Sequence, residues 1–272
     1  MAKKRAIDLV QLDPDHPGFR DPAYRARRNA IVHAALDYVP PAPAPLVEYT
    51  ESEQSVWRAV NEQLRPLHQK YASRPNLEAY EALPLPLDHV PQLRTVNAEL
   101  AKTTGFQMNP VGGLVSPRAF MAELGQRGFL STQYMRHPSV PYYTPEPDVV
   151  HELIGHAATL AHPLFADLNV AFGLAMGKAS DEDVTQIERI YWYTIEFGLV
   201  REGGELKAFG AGLLSSFGEL DQALKHPNLK PWDLELARQT PYDPTKYQPT
   251  LFVVDDLEGL SHQLGDYLAK WH

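Results

Sequence analysis

The sequence predicts a mainly α protein, one helical domain with a small β-sheet. Three observations carry that reading. Apolar residues recur at three- and four-residue spacing over long stretches, helix-start signals punctuate the chain, and strand character is confined to short segments. The sequence has no internal repeat.

In chain order, residues 21–38 and 52–72 read as helices, the second with Val56, Val60 and Leu64 on one face. Between them the run PPAPAP at 40–45 is an extended connector, and a second proline group at 83–87 acts likewise. A helix over 91–103, a turn over 109–113 and a strand over 129–134 follow. Thr144 is placed to cap the next helix, with Pro145 at its first position and Pro147 where backbone N–H groups still lack partners. That helix carries 149 to about 160, and another runs from 163 to about 176. Ser180 and Asp183 form a capping-box pattern for a helix over 181–200. Helices over 215–224 and 257–271 close the chain, with a strand at 251–254 between them. The last helix sets Leu257, Leu260, Leu264, Leu268 and Trp271 in one stripe. The stripe is wide enough to pack on a core and too short for a coiled coil, so a monomer or weak dimer is expected.

Composition narrows the function. The 272 residues are 44% hydrophobic with a formal net charge of −9, which argues against nucleic acid as a partner. The one basic cluster, Arg25, Arg27 and Arg28, reads as a solvated helix face. With no cysteine, disulfides and thiolate metal sites are excluded, so any metal must be held by His, Asp or Glu. Neither a signal peptide nor an apolar run of about 20 residues is present, so no membrane is expected and a cytoplasmic location is.

The chemistry centres on His151-Glu152-Leu153-Ile154-Gly155-His156. Two histidines four apart lie about 40° apart round an α-helix, as in zinc proteases; five apart, they lie about 140° apart. Both reach one ion only if the helix is irregular or the metal sits against its side, and Gly155 leaves room for a close approach. The helix over 181–200 offers a third ligand: Glu196 lies one turn after Trp192 on a face that also carries Ile187, Tyr191, Ile195 and Leu199. A divalent cation would resolve the cost of burying that carboxylate. Two His and one carboxylate, with three positions open, is the donor set of non-haem iron(II) oxygenases. A zinc hydrolase with Glu152 as general base, or a non-enzymatic module using the arginine cluster, remains open at this point.

At these residues the sequence resembles the aromatic amino acid hydroxylases, the tetrahydrobiopterin-dependent phenylalanine, tyrosine and tryptophan hydroxylases. The matching stretches are DHPGFRDPAYRARR from Asp15, STQYMRH from Ser131, YTPEPDVVHELIGH from Tyr143, IYWYTIEFGLV from Ile190 and KAFGAGLLSSFGEL from Lys207. The resemblance implies a single catalytic iron- and pterin-binding domain over 21–272 after an N-terminal extension over 1–20. Neither a preceding regulatory domain nor a long C-terminal assembly helix is expected. His151, His156 and Glu196 match the Fe(II) ligands. Arg136 matches the arginine that grips the substrate carboxylate in a bidentate fork, and Thr144 and Ser215 match polar groups beside it. Pro147 and Trp192 match walls of the ring pocket. Phe120 matches the residue that stacks on the tetrahydrobiopterin, beside the backbone of Leu114 and Val115. Glu152 matches a carboxylate facing the pterin, and Tyr191 a tyrosine close to the iron.

Three positions depart from the family pattern. Leu130 stands where many relatives carry His or Gln, Pro117 where a serine is common, and Ala157-Ala158 where Val-Pro is usual. Trp192 and the run from Ser215 to Leu220 are most similar to phenylalanine hydroxylase. The implied reaction is ring hydroxylation of L-phenylalanine to L-tyrosine by O2 and a tetrahydropterin, with tyrosine or tryptophan as alternative substrates and the meta carbon as an alternative position.

Overall fold

The computed structural model describes residues 10–113, 115–244 and 246–271. Helices dominate: α1 (Pro22–Leu36), α2 (Glu51–Tyr71), α3 (Arg74–Ala82) and α4 (Leu93–Thr103) come first. After β1 (Gln107–Pro110), α5 (Pro117–Leu124) and β2 (Gly128–Ser131), a continuous helix α6 spans residues 149–160. Then follow α7 (Pro163–Lys178), α8 (Asp181–Tyr191), β3 (Leu199–Glu202), β4 (Glu205–Ala208), α9 (Ala211–Leu214) and α10 (Phe217–Ala223). The chain closes with β5 (Leu229–Pro231), α11 (Leu234–Gln239), β6 (Leu251–Val254) and α12 (Leu257–Leu268).

The strands form two small sheets. β1 and β2 pair in parallel, and a four-stranded sheet runs in the order β4-β3-β6-β5, with only the β3–β4 hairpin antiparallel. The core is built around α7, which is apolar on nearly every side and buries Phe165, Leu168, Phe172 and Met176. The leucine stripe of α12 is spent on this core: Leu257, Leu260, Leu264 and Leu268 are buried, and Trp271 packs partly buried against it. No described helix is long and apolar enough to cross a membrane.

Several local expectations are met for visible reasons. Val56, Val60 and Leu64 of α2 are buried together, and Ser180 caps α8 by accepting from the Asp183 N–H at 3.2 Å. Others are corrected. Thr144 does not cap a helix: its hydroxyl donates to the Glu146 carbonyl at 2.7 Å in a local turn. The cap of α6 is Asp148, whose side chain accepts from the His151 N–H at 3.3 Å. The helix expected over 181–200 stops at Glu196, because Leu199 and Val200 leave to pair with β4 and β6. The turn expected over 109–113 begins two residues later, since Asn109 and Pro110 belong to β1. Strand β2 ends at Ser131, short of 134. The arginine cluster is no solvated face: Arg28 is buried and ion-paired with Glu146, and Arg27 pairs with Glu53 at 2.9 Å. Helices α3, α5 and α11 and strands β1, β3, β4 and β5 went unpredicted because their apolar periods are too short to register.

Two buried titratable groups brace the region around α9 and α10. His68 of α2 donates from Nε2 to the Leu214 carbonyl at 2.6 Å, and burial pulls its pKa down to about 4. Glu219 is pushed up to about 7, mainly by burial and against the pull of the Ser216 hydroxyl. Between about 4.5 and 7 the folded chain keeps a proton on Glu219 that the unfolded chain has released, so this group's effect destabilises the fold as pH rises through that window. Glu219→Gln should therefore be more stable than the parent at pH 8 by about 1–3 kcal/mol, with the gap closing towards pH 4.5. Urea unfolding at both pH values checks this; an equal gap at each pH would show that Glu219 ionises freely in the folded state.

Candidate active site

Three side chains converge between α6 and the end of α8. His156 Nε2 lies 3.0 Å from His151 Nε2 and 3.1 Å from Glu196 Oε1, and His151 Nε2 lies 3.8 Å from Glu196 Oε2. Among the described residues this is the one group of three or more His, Asp or Glu side chains spaced to hold a metal ion. On metal–ligand bonds of about 2.1 Å, adjacent donors of an octahedron sit about 3.0 Å apart, so the triad fits one face of a six-coordinate ion and leaves the opposite face open.

The helix irregularity that five-residue spacing requires is present. Residues His151–Ala157 form a π-helical stretch, whose wider turn brings the fifth residue back over the first. A second π-helical stretch, Trp192–Glu196, ends α8 and delivers the carboxylate. Gly155 serves a different close approach from the one expected: a Cβ there would lie 2.7 Å from the Ala211 carbonyl oxygen of α9. That contact seats α9 so that Ser215, just beyond it, reaches the metal site. The Ser215 hydroxyl donates to the Ala211 carbonyl at 2.8 Å and lies 2.9 Å from His151 Nδ1. Since the hydroxyl proton is used, His151 donates from Nδ1, which leaves the Nε2 lone pair facing the triad.

The electrostatics suit a cation. Burial, helped by the neighbouring His156, pulls His151 down to about 4, so it is a neutral ligand. Burial would raise Glu196, but His156 more than offsets it and holds the carboxyl below its ordinary value. Burial pushes Glu152 up to about 7 despite His156 and the bonds from Thr132. Its Oε1 accepts from the Thr132 N–H at 3.2 Å and hydroxyl at 3.0 Å.

Beside the triad, Arg136 and Asp148 form a fully buried pair. Arg136 donates from Nε to Oδ2 at 2.9 Å and from Nη2 to Oδ1 at 2.7 Å. Its bidentate fork is thus committed to Asp148, and Nη1, 3.4 Å from the Pro141 carbonyl, is the edge left for a ligand. Thr144 and Pro147 lie on the loop before α6, Thr144 in its turn with Glu146 and Pro147 with its carbonyl accepting from the Tyr134 hydroxyl at 2.7 Å. Trp192 is held by Tyr242, stacked at 4.1 Å, by Phe197 at 4.6 Å, and by a bond from Nε1 to Gln248 at 2.9 Å.

On the other side, half-buried Phe120 meets Phe129 edge-on at 5.1 Å, and Phe129 lies 4.6 Å from the His156 ring. Tyr191 lies 6.2 Å from Phe120 and donates to Asn169 Oδ1 at 3.1 Å. Val115 is exposed, whereas Leu114 lies outside the described residues. Pro117 occupies the first turn of α5, where its missing N–H costs nothing. Leu130 is half-buried in β2. Sequence reasoning missed Asp148, Thr132 and Asn169. Asp148 had a signal, an Asp three residues before the first His; the other two are joined to the site only by the fold.

A buried two-His, one-carboxylate centre in a helical domain defines the class. Residues 4–272 match the family model of biopterin-dependent aromatic amino acid hydroxylases, and the chain belongs to that family. It is 44% identical to mouse tyrosine 3-monooxygenase over 264 residues, 95% of this chain and 53% of the relative. It is 42% identical to rat phenylalanine-4-hydroxylase over 267 residues, 96% of this chain and 58% of the relative. The chain thus spans about half the length of these curated relatives. A solved phenylalanine hydroxylase from Chromobacterium violaceum, with bound iron(III) and 7,8-dihydrobiopterin, superposes with a TM-score of 0.82 at 30% identity, covering 96% of this chain and 93% of that one. A cold-active phenylalanine hydroxylase from Colwellia psychrerythraea gives 0.79 at 29% identity, covering 86% and 91%.

Replacing His151, His156 or Glu196 with Ala should abolish stoichiometric iron binding while the helical content is kept. Ser215→Ala, which removes the partner that orients His151, should weaken iron binding about 10- to 100-fold. Iron titration with far-UV circular dichroism reads both effects, and a His156→Ala protein with full iron content would refute the triad.

Proposed function

We propose that the protein hydroxylates the ring of L-phenylalanine, giving L-tyrosine, with O2 and a tetrahydropterin at Fe(II) held by His151, His156 and Glu196. The observation that carries the reading is the triad at octahedral spacing beside the buried Arg136–Asp148 pair. Membership of the family removes the zinc-hydrolase and non-enzymatic alternatives. When bound, iron and tetrahydrobiopterin supply the reduction of O2, which no side chain here can perform.

The chain's own residues bind, orient and keep the site dry. The open edge of Arg136 takes the amino acid carboxylate, with the Thr144 and Ser215 hydroxyls beside it. Pro147 and Trp192 hold the aromatic ring. Phe120 stacks on the pterin, with the backbone at Val115 beside it, and Glu152 faces it. Tyr191 closes the wall between pterin and metal. Fixing two reactants at near-attack distance removes the entropy of bringing them together.

Phenylalanine is favoured over tyrosine by the lining of the ring pocket. The indole N–H of Trp192 is already bonded to Gln248, and Pro147 and Phe197 offer no polar side-chain atom to a phenol. An apolar pocket rejects an added hydroxyl only weakly, by about 100-fold at most, so tyrosine is the second reading. It is favoured by the curated relatives, several of which are tyrosine 3-monooxygenases. Because the α12 stripe is buried in the chain's own core, the reading includes a monomeric domain or a weak dimer.

The deciding experiment offers phenylalanine, tyrosine and tryptophan in turn to iron-loaded protein with a tetrahydropterin and O2, and identifies products by chromatography. Tyrosine formed from phenylalanine is the expected result. Dihydroxyphenylalanine as the dominant product would install the second reading, and meta-tyrosine would keep the substrate and change the ring carbon.

A further inference from the structure

We propose that His16, in the segment before α1, is a positioning residue for the carboxylate end of the substrate site, a role that rests on the functional reading above. His16 is buried, and its Nδ1 accepts from the Gly18 N–H at 2.9 Å. A neutral imidazole that accepts at Nδ1 carries its proton at Nε2. That nitrogen lies 3.4 Å from Glu146 Oε1, so the turn at Gly18 sets the tautomer that aims a donor at the carboxylate. Burial pulls His16 below the ordinary histidine range against the attraction of Glu146, which keeps this neutral form.

Glu146 is the point where the N-terminal region meets the substrate loop. Arg28 of α1 ion-pairs with the same carboxylate oxygen and lies 3.6 Å over the Tyr134 ring. Tyr134 in turn donates to the Pro147 carbonyl at 2.7 Å. The backbone of Glu146 is folded into the Thr144 turn, two residues before the Asp148 that grips Arg136. Tyr24, stacked on His16 at 5.9 Å, donates to the Met135 carbonyl at 3.0 Å, next to Arg136. Both segments that carry Thr144, Pro147 and Arg136 are therefore pinned from one cluster. His16 contacts none of the reacting groups; its effect passes through Glu146.

The test uses the full iron-loaded chain. His16→Ala should weaken L-phenylalanine binding, read by calorimetry, about tenfold, the scale of one lost polar contact to a charged group. The rise should fall on KM with kcat within about twofold, since the metal half of the site is untouched. Iron stoichiometry should stay that of the parent, and amide exchange over residues 143–148 should quicken. His16→Gln, whose amide N–H can reach Glu146, should restore most of the affinity. Parent-like binding by His16→Ala, or a Gln variant no better than Ala, would overturn the proposal. If the parent binds no aromatic amino acid, the functional reading fails by itself. Exchange over 143–148 then still decides His16: unchanged protection in His16→Ala overturns its positioning role, and faster exchange supports it.

Discussion

A carboxylate buried beside two imidazoles sets the terms for the middle of this structure. Taking an ion out of water costs several kcal/mol, and Glu196 is tolerable there only because positive charge can sit against it. His156 meets that need in part, at 3.1 Å; a divalent cation held by the triad would meet it fully. Both helices that deliver the triad depart from α geometry where they do so, and π-helical turns carry a local cost that packing must offset. The offset is close backbone contact. A Cβ at Gly155 would crowd the Ala211 carbonyl, and one at Gly210 would lie 2.4 Å from the carbonyl oxygen of Glu196. The short helix α9 is thus wedged against both π-helical stretches, and its C-terminal end orients His151 through Ser215.

A second buried charge is handled without a metal. Arg136 and Asp148 satisfy each other through two side-chain bonds, and Asp148 also accepts from the Arg136 backbone N–H at 2.8 Å. Breaking such a pair leaves an uncompensated buried charge, typically worth 3–5 kcal/mol. Asp148 therefore does two things with one side chain: it starts α6, three residues before the first metal ligand, and it turns the guanidinium so that one edge faces away. Asp148 thereby ties the Arg136 guanidinium to the first turn of the helix that carries His151 and His156.

Much of this was legible in the sequence, and the legible part had local causes. Long amphipathic helices such as α2 and α12 announce themselves by period, and the start of α8 by its cap. The metal triad was readable because two ligands are close in sequence and Glu196 stands out on an otherwise apolar helix face. Thr144 misled because Ser, Thr, Asn and Asp serve turns and helix caps alike, and only the tertiary fold decides which. The end of α8 was missed because Phe197, Gly198 and Leu199 continue an apolar run whose pairing partners lie over fifty residues later in β6. The Arg28–Glu146 pair, 118 residues apart, has no local signature.

The two halves of the site rest on different parts of the fold, and this bears on how one scaffold serves several aromatic amino acids. The metal half belongs to packed helices: α6 and α8 lie near the buried α7, with Asn169 of α7 bonded to Tyr191. The substrate half proposed above would hang on loops, at 136–148 and around Tyr242, held by side chains from α1, α8 and the segment before α1. Residues on loops can change without repacking the core, whereas a shift of α6 or α8 would misplace a ligand. Substrate preference can therefore drift while the metal centre stays fixed. Relatives named for tyrosine and for phenylalanine match this chain at nearly equal identity, 44% and 42%, so overall similarity does not separate the two substrates.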